Sequence, residues 1–249
     1  MSVNLKILRY SPKEGKRYDT FEVPYQRWTT VLDALLYVKA YVDHSLALRY
    51  SCRMASCGSC GMLINGKPRL ACYTKISELN SNEIICEPLP NFPIIRDLAT
   101  NFDRFFTNHK NMMPYIINEK TDRKMDDIHR EFIQKPDEVE KYLQFSYCIK
   151  CGLCYAACPT TAMDKEFPGP QALAQMYRYM IDSRDQASRK RLEIIDNRHG
   201  IWRCHFAGSC SNVCPKGVDP ALGIQLLRSY LLGFSKKGEE KAVLYISSH

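Results

Sequence analysis

Between residues 148 and 215 the chain writes one cysteine frame twice, and the second copy omits a ligand. The first reads Cys148-x2-Cys151-x2-Cys154-x3-Cys158-Pro159; the second reads Cys204-x2-Ala207-x2-Cys210-x3-Cys214-Pro215. In a run of this spacing three thiolates hold one iron–sulfur cubane and the fourth cysteine crosses to a neighbouring cluster. The two copies must therefore fold together, because each site draws a cysteine from the other run. By this rule Cys148, Cys151 and Cys154 take Cys214 as the fourth ligand of a [4Fe–4S] cluster. Cys158 joins Cys204 and Cys210. Ala207 has no sulfur, so this second site keeps three thiolates and is expected to hold a [3Fe–4S] cluster. Two unlike clusters side by side are the parts of an electron relay.

A third metal signal lies upstream: Cys52-x4-Cys57-x2-Cys60, followed by Cys72. This is the plant-type spacing for a [2Fe–2S] cluster. Gly58 and Gly61 let the loop wrap tightly and aim backbone N–H groups at the sulfurs. Soft, anionic thiolates suit iron and sulfide. The competing occupant is zinc, which takes four ligands, usually from two separated C-x2-C knuckles. Three evenly spaced cysteines followed by Cys-Pro do not match that, and eleven donors do not divide into fours. The twelfth cysteine, Cys86, lies outside every motif and reads as a small buried hydrophobe.

Twelve cysteines in 249 residues, without an apolar leader, argue for metal ligation rather than disulfides. No stretch approaches the ~18 consecutive apolar residues of a bilayer span. The net charge of +8 suits an acidic partner or an anionic membrane surface, or simply a solvated basic face. The basic residues are dispersed and no nucleic-acid motif accompanies them, so no nucleic-acid partner is expected.

The cysteine motifs sit in contrasting surroundings, which gives an α+β chain with domains at 1–97 and 98–249. Val3–Tyr10, Tyr18–Val23, Gly61–Ile64, Lys67–Ala71 and Glu83–Glu87 read as strands, with Asn65-Gly66 as a type I′ turn. Thr29 or Thr30 caps a helix expected to reach about Tyr41, with Val31, Leu35, Val38 and Val42 on one face. Pro88, Pro90 and Pro93 form a stiff connector. Helices are then expected at Asp97–Lys110, Pro136–Gln144, Gly169–Asp182, Arg184–Asp196 and Asp219–Gly233.

These three motifs, in this order and spanning nearly the whole chain, resemble the iron–sulfur subunit of succinate dehydrogenase and fumarate reductase, the respiratory complex II family. The loop Ser51-Cys52-Arg53-Met54-Ala55-Ser56-Cys57-Gly58-Ser59-Cys60-Gly61 looks like the family's [2Fe–2S] loop. The two runs, with Lys216 and Asp219-Pro220 behind the second, look like its second-domain signatures. The resemblance implies an N-terminal β-grasp plant-type ferredoxin domain and a C-terminal all-α bacterial-ferredoxin-like domain. It also implies an FAD-bearing flavoprotein partner, a membrane-anchor subunit, and quinone as the electron partner. The chain would then be peripheral on the cytoplasmic face of the inner membrane. No acid–base pair or nucleotide-binding glycine motif argues for substrate chemistry on this chain, so any dicarboxylate reaction belongs to the flavoprotein. The alternative is an iron–sulfur carrier subunit of a different oxidoreductase that uses the same two-domain module.

By position in the family, Pro159, His205 and Arg228 would face the quinone. Each also has a plainer role. His205 follows ligand Cys204 and suits either a quinone oxygen or a cluster sulfur. Arg228, one turn after Gln225, is also a cation complementing a helix C-terminus. Leu222, Leu226, Leu227, Tyr230 and Leu231 would dock an anchor or, more simply, fill core. Tyr155 and Trp202 flank ligand loops and read as shields against water. Met163 stands where many succinate dehydrogenases have tryptophan. Cys151–Cys158 and Asp182–Asp185 look closer to fumarate reductases and His205 to the dehydrogenases, so direction and quinone type stay open.

Overall fold

A computed structural model describes residues 1–118 and 131–237. The chain forms two compact units: one of residues 1–103 together with 149–157, the other of the remaining described residues. No helix among the described residues is long and apolar enough to cross a membrane.

The first unit is built on a mixed sheet. Strands β1 (Ser2–Ser11) and β2 (Gly15–Pro24) form an antiparallel hairpin, and alternation along β1 buries Val3, Leu5 and Ile7. β1 also pairs in parallel with β5 (Glu83–Glu87). β3 (Gly61–Ile64) and β4 (Lys67–Leu70) complete the spatial order β2-β1-β5-β3-β4. The β3–β4 turn is made by Asn65 (φ 47°) and Gly66 (φ 74°), the two left-handed residues of a type I′ turn. One helix, Val31–Tyr37, lies against β2 and buries Val31, Leu32, Ala34 and Leu35. Thr30 caps it reciprocally: its Oγ1 accepts the Asp33 N–H at 3.2 Å, and the Asp33 carboxylate accepts the Thr30 N–H at 2.9 Å. The helix expected to run to Tyr41 instead widens into a π-helical turn over Val38–Val42. This is the sheet-and-helix arrangement of a β-grasp domain.

The helix expected from Asp97 begins at Asp103. Asp97 (φ 47°) turns the chain between β6 (Ile94–Arg96) and β7 (Ala99–Thr100). Its buried carboxylate accepts the N–H groups of Tyr10 and Ala47 and pairs with Arg9 Nε at 3.1 Å. A charge committed to tertiary contacts outweighs local helix patterning.

The second unit is helical. The helix expected over Pro136–Gln144 breaks into Pro136–Glu140 and Leu143–Ser146, whereas Pro170–Ile181 and Pro220–Leu231 agree with expectation within two residues. The expected Arg184–Asp196 helix is shorter, Ser188–Ile195. Asp185 instead forms a fully buried ion pair with Arg191, Nη1 to Oδ2 at 2.5 Å. Pro170–Ile181 and Pro220–Leu231 pack together around Leu173, Met176, Tyr177, Ile224 and Leu227. At this contact Gly223 faces Ala174 and the Phe145 ring.

Candidate metal centres

The upstream cysteine loop folds around its sulfurs by leaving the right-handed backbone repeatedly. Arg53 and Ala55 (both φ 57°) and Gly58 (φ 76°) are left-handed. The turns direct peptide N–H groups inward. Those of Met54, Ser56 and Cys57 reach Cys52 Sγ at 3.4, 3.3 and 3.2 Å. Ala55 N–H donates to Cys72 Sγ at 3.3 Å, and Cys72 N–H to Cys60 Sγ at 3.4 Å. The four thiols are thereby brought into one loop-and-hairpin cradle. Donors aimed at sulfur stabilise thiolates and the electron-rich state of any cluster they hold. Cys60 and Cys72 are buried while Cys57 is exposed at the lip. In the metal-free thiols the two ends diverge. Burial opposes ionisation of Cys57, but hydrogen bonds from Ser59 and from the Cys52 and Ser59 backbone outweigh it and bring the thiol to about 6. Burial pushes Cys60 up to about 12.

Gly58 has a second role that spacing alone did not reveal. A Cβ there would stand 2.7 Å from the Cβ of Cys151, within the same unit. A Cβ on Gly61 would meet the Leu153 side chain at 3.2 Å and the Cys151 carbonyl oxygen at 3.3 Å. The first cubane loop therefore lies directly on the upstream cysteine loop. It is held there by Asn91, whose side-chain amide donates to the carbonyls of Tyr155 and Ala156, both at 3.0 Å. Tyr155 is buried against Phe92, with ring centroids 4.9 Å apart.

The two downstream runs share one backbone design. Lys150 (φ 55°) and Gly152 (φ 79°) flank Cys151, and Gly152 precedes the short helix Leu153–Ala156. Phe206 (φ 56°) and Gly208 (φ 72°) flank Ala207 in the same way, and Gly208 precedes Ser209–Asn212. Ala207 thus occupies a ligand-shaped backbone position without the sulfur.

Within the second unit Cys158, Cys204, Cys210 and Ala207 line a single small cavity. Burial raises the Cys204 thiol, and so does Cys158. Burial pushes Cys210 up to about 11, with the Cys158 and Cys204 charges adding to it. Cys214 stands close enough to Cys148 for repulsion to add to burial in raising its thiol. Cys158 of the first run thus lies beside Cys204 and Cys210 of the second, and Cys214 beside Cys148. Cys151 and Cys154 ride on the 149–157 segment of the first unit. Cys158 caps the helix Pro159–Met163, its sulfur accepting the Thr161 N–H at 3.5 Å, and Phe206 N–H donates to Cys204 Sγ at 3.4 Å. Among the described residues no three His, Cys, Asp or Glu side chains converge on a point suitable for one metal ion. Sulfurs that hold a cluster surround a core of iron and sulfide, and three thiols lining one cavity suit that arrangement.

The remaining candidates fall in different places. Pro159 is exposed and lines the three-cysteine cavity. His205 is exposed. Arg228 is spent on backbone: its Nη2 donates to the carbonyls of Ile201, Trp202 and Cys204 at 3.0, 3.4 and 2.6 Å. Leu227 is core, and Leu226, Tyr230 and Leu231 pack against it. Trp202 is half-exposed, with its indole N–H on Asp196. Cys86 is fully buried, and burial pushes its thiol up to about 12. Sequence reasoning missed Asp164. Its carboxylate accepts from His199 Nδ1 at 2.9 Å and Arg203 Nε at 3.1 Å, tying the arm after Cys158 to the arm before Cys204. Opposite charges flanking partner ligands were the only signal.

Two family models match the chain: a 2Fe-2S iron–sulfur cluster binding domain over residues 4–107 and a 4Fe-4S dicluster domain over residues 144–218. The fumarate reductase iron–sulfur subunit of Haemophilus influenzae is 44% identical over 231 residues, covering 89% of this chain and 90% of that protein. The succinate dehydrogenase iron–sulfur subunit of Paracoccus denitrificans is 34% identical over 230 residues, covering 91% and 86%. A chain of the Mycobacterium smegmatis Sdh1 complex in the apo form superposes with a TM-score of 0.80 over 96% of this chain and 99% of that one, at 24% identity, a likeness of fold.

Proposed function

Since the chain belongs to the family of iron–sulfur subunits of fumarate reductases and succinate dehydrogenases, we propose that it relays electrons between a flavoprotein and a membrane quinone through three unlike clusters. In this reading Cys52, Cys57, Cys60 and Cys72 hold [2Fe–2S]. Cys148, Cys151, Cys154 and Cys214 hold [4Fe–4S], and Cys158, Cys204 and Cys210 hold [3Fe–4S]. When bound, such clusters supply one-electron steps over a wide range of potential. The chain's own residues contribute spacing, burial and N–H donors to the sulfurs. The observation that carries the reading is the cavity shared by Cys158, Cys204, Cys210 and Ala207, which joins the two runs and lacks one corner.

The partners follow from the same reading. The chain works beside an FAD-bearing flavoprotein where dicarboxylate chemistry takes place, and an anchor subunit holds it on the cytoplasmic face of the membrane. Exposed Met163, Phe206 and Phe234 offer apolar surface for such an anchor. Pro159 and His205 supply the quinone-facing edge. Purified with its partners, the complex should catalyse succinate-driven quinone reduction or quinol-driven fumarate reduction, with a three-iron EPR signal in the oxidised state. If neither reaction occurs while another donor reduces the clusters, the chain serves a different oxidoreductase.

A further inference from the structure

Arg228 sits in the last turn of the helix Pro220–Leu231, where a cation ordinarily complements the helix carbonyls. Here it reaches instead to the loop that carries Cys204. Its three carbonyl acceptors, on Ile201, Trp202 and Cys204, belong to one arm, and the shortest contact is to the ligand residue itself. The guanidinium also lies over the Trp202 ring, 5.9 Å from its centroid. Planar donors in a rigid fork can hold several carbonyls in one geometry, which a lysine ammonium on a flexible stem does not reproduce.

The charge has an unusual setting. Arg184, Arg191 and Arg203 each pair with a carboxylate, respectively Asp182, Asp185 and Asp164. Arg228 has no carboxylate partner among the described residues, and its Nε is buried without a hydrogen-bond acceptor. Carbonyl dipoles and an aromatic face therefore leave most of its positive charge uncancelled beside the three-cysteine site. Reducing a cluster adds negative charge, and a fixed cation in a partly buried setting favours the reduced state.

We propose that Arg228 is a positioning residue of the three-thiolate site, fixing the Cys204 arm through its carbonyls and holding the cluster's reduction potential up through its uncancelled charge. The inference rests on assigning Cys158, Cys204 and Cys210 to a three-iron cluster. It is tested in the assembled complex by EPR-monitored redox titration of wild type, R228K and R228M. The expected result is a lower three-iron midpoint in R228M, with the [2Fe–2S] midpoint unmoved. R228K should keep a midpoint near wild type but alter the EPR line shape, since it retains charge and loses the fork. An unshifted midpoint in R228M with its signal intact overturns the proposal, as does a lysine midpoint as low as that of methionine. Should R228M lose the cluster, R228K decides. A retained signal near the wild-type midpoint supports the proposal; loss in both variants makes Arg228 a folding residue and overturns it. Absence of a three-iron signal from the wild type would instead sink the ligand assignment.

Discussion

In the proposed ligand assignment, Ala207 is the residue on which cluster identity turns. Its left-handed neighbours Phe206 and Gly208 repeat the geometry around Cys151, so a thiol placed there needs no new backbone. On that assignment Ala207→Cys is expected to admit a fourth iron: the oxidised variant should lack the three-iron EPR signal expected of the wild type and gain one iron per chain by chemical analysis. Arg191 and Asp185 offer a different single-residue test. Both are fully buried, so Arg191→Met leaves an uncompensated carboxylate and should cost about 3–5 kcal/mol, read as a lower denaturation midpoint. Asp43 governs an acid response. Hydrogen bonds from Ser45 and then Arg9 hold its carboxyl well below the usual range. A depressed carboxyl adds stability that is present above the unfolded value near ~3.9 and lost as pH falls through the folded one. Wild type should therefore lose thermal stability below about pH 4 more steeply than Asp43→Asn, measured by the sheet's circular dichroism. The cysteine motifs were legible because they are written in local spacing. Asp164 and Arg228 were not, since their partners come from distant loops and no local pattern announces them.

At the scale of elements, the crossing of Pro170–Ile181 with Pro220–Leu231 depends on one missing side chain. A Cβ on Gly223 would lie 2.9 Å from the edge of the fully buried Phe145 ring and 3.4 Å from Ala174 Cα. Gly223→Ala gains about 1 kcal/mol of helix propensity. Overpacking costs about 1–3 kcal/mol, so the expected outcome is a lower melting temperature. Elements with strong punctuation were readable from sequence. Pro220 with the Asp219 cap and the Asn65-Gly66 turn fall where expected. Those overridden by tertiary contacts were not. Asp97 is drawn into the Arg9 pair, and the helix after Val31 loosens into a π turn.

For the molecule as a whole, the consequential feature is the return of residues 149–157 to the N-terminal unit. Gly152 packs against Phe92 and Phe102, so a fragment ending near residue 107 would leave that face bare. Such a fragment should release its [2Fe–2S] cluster at a lower temperature than the full chain does, followed by loss of visible absorbance. The segment's destination was invisible in the sequence, because the cysteines mark what a loop binds and not which unit it joins. Its consequence reaches back to biogenesis. A ribosome releases the sheet first, but the stretch that completes its surface emerges only after residue 157. Maturation therefore cannot proceed as two independent events in order of synthesis: insertion of iron into the early half gains its full protection only once the later half has been made.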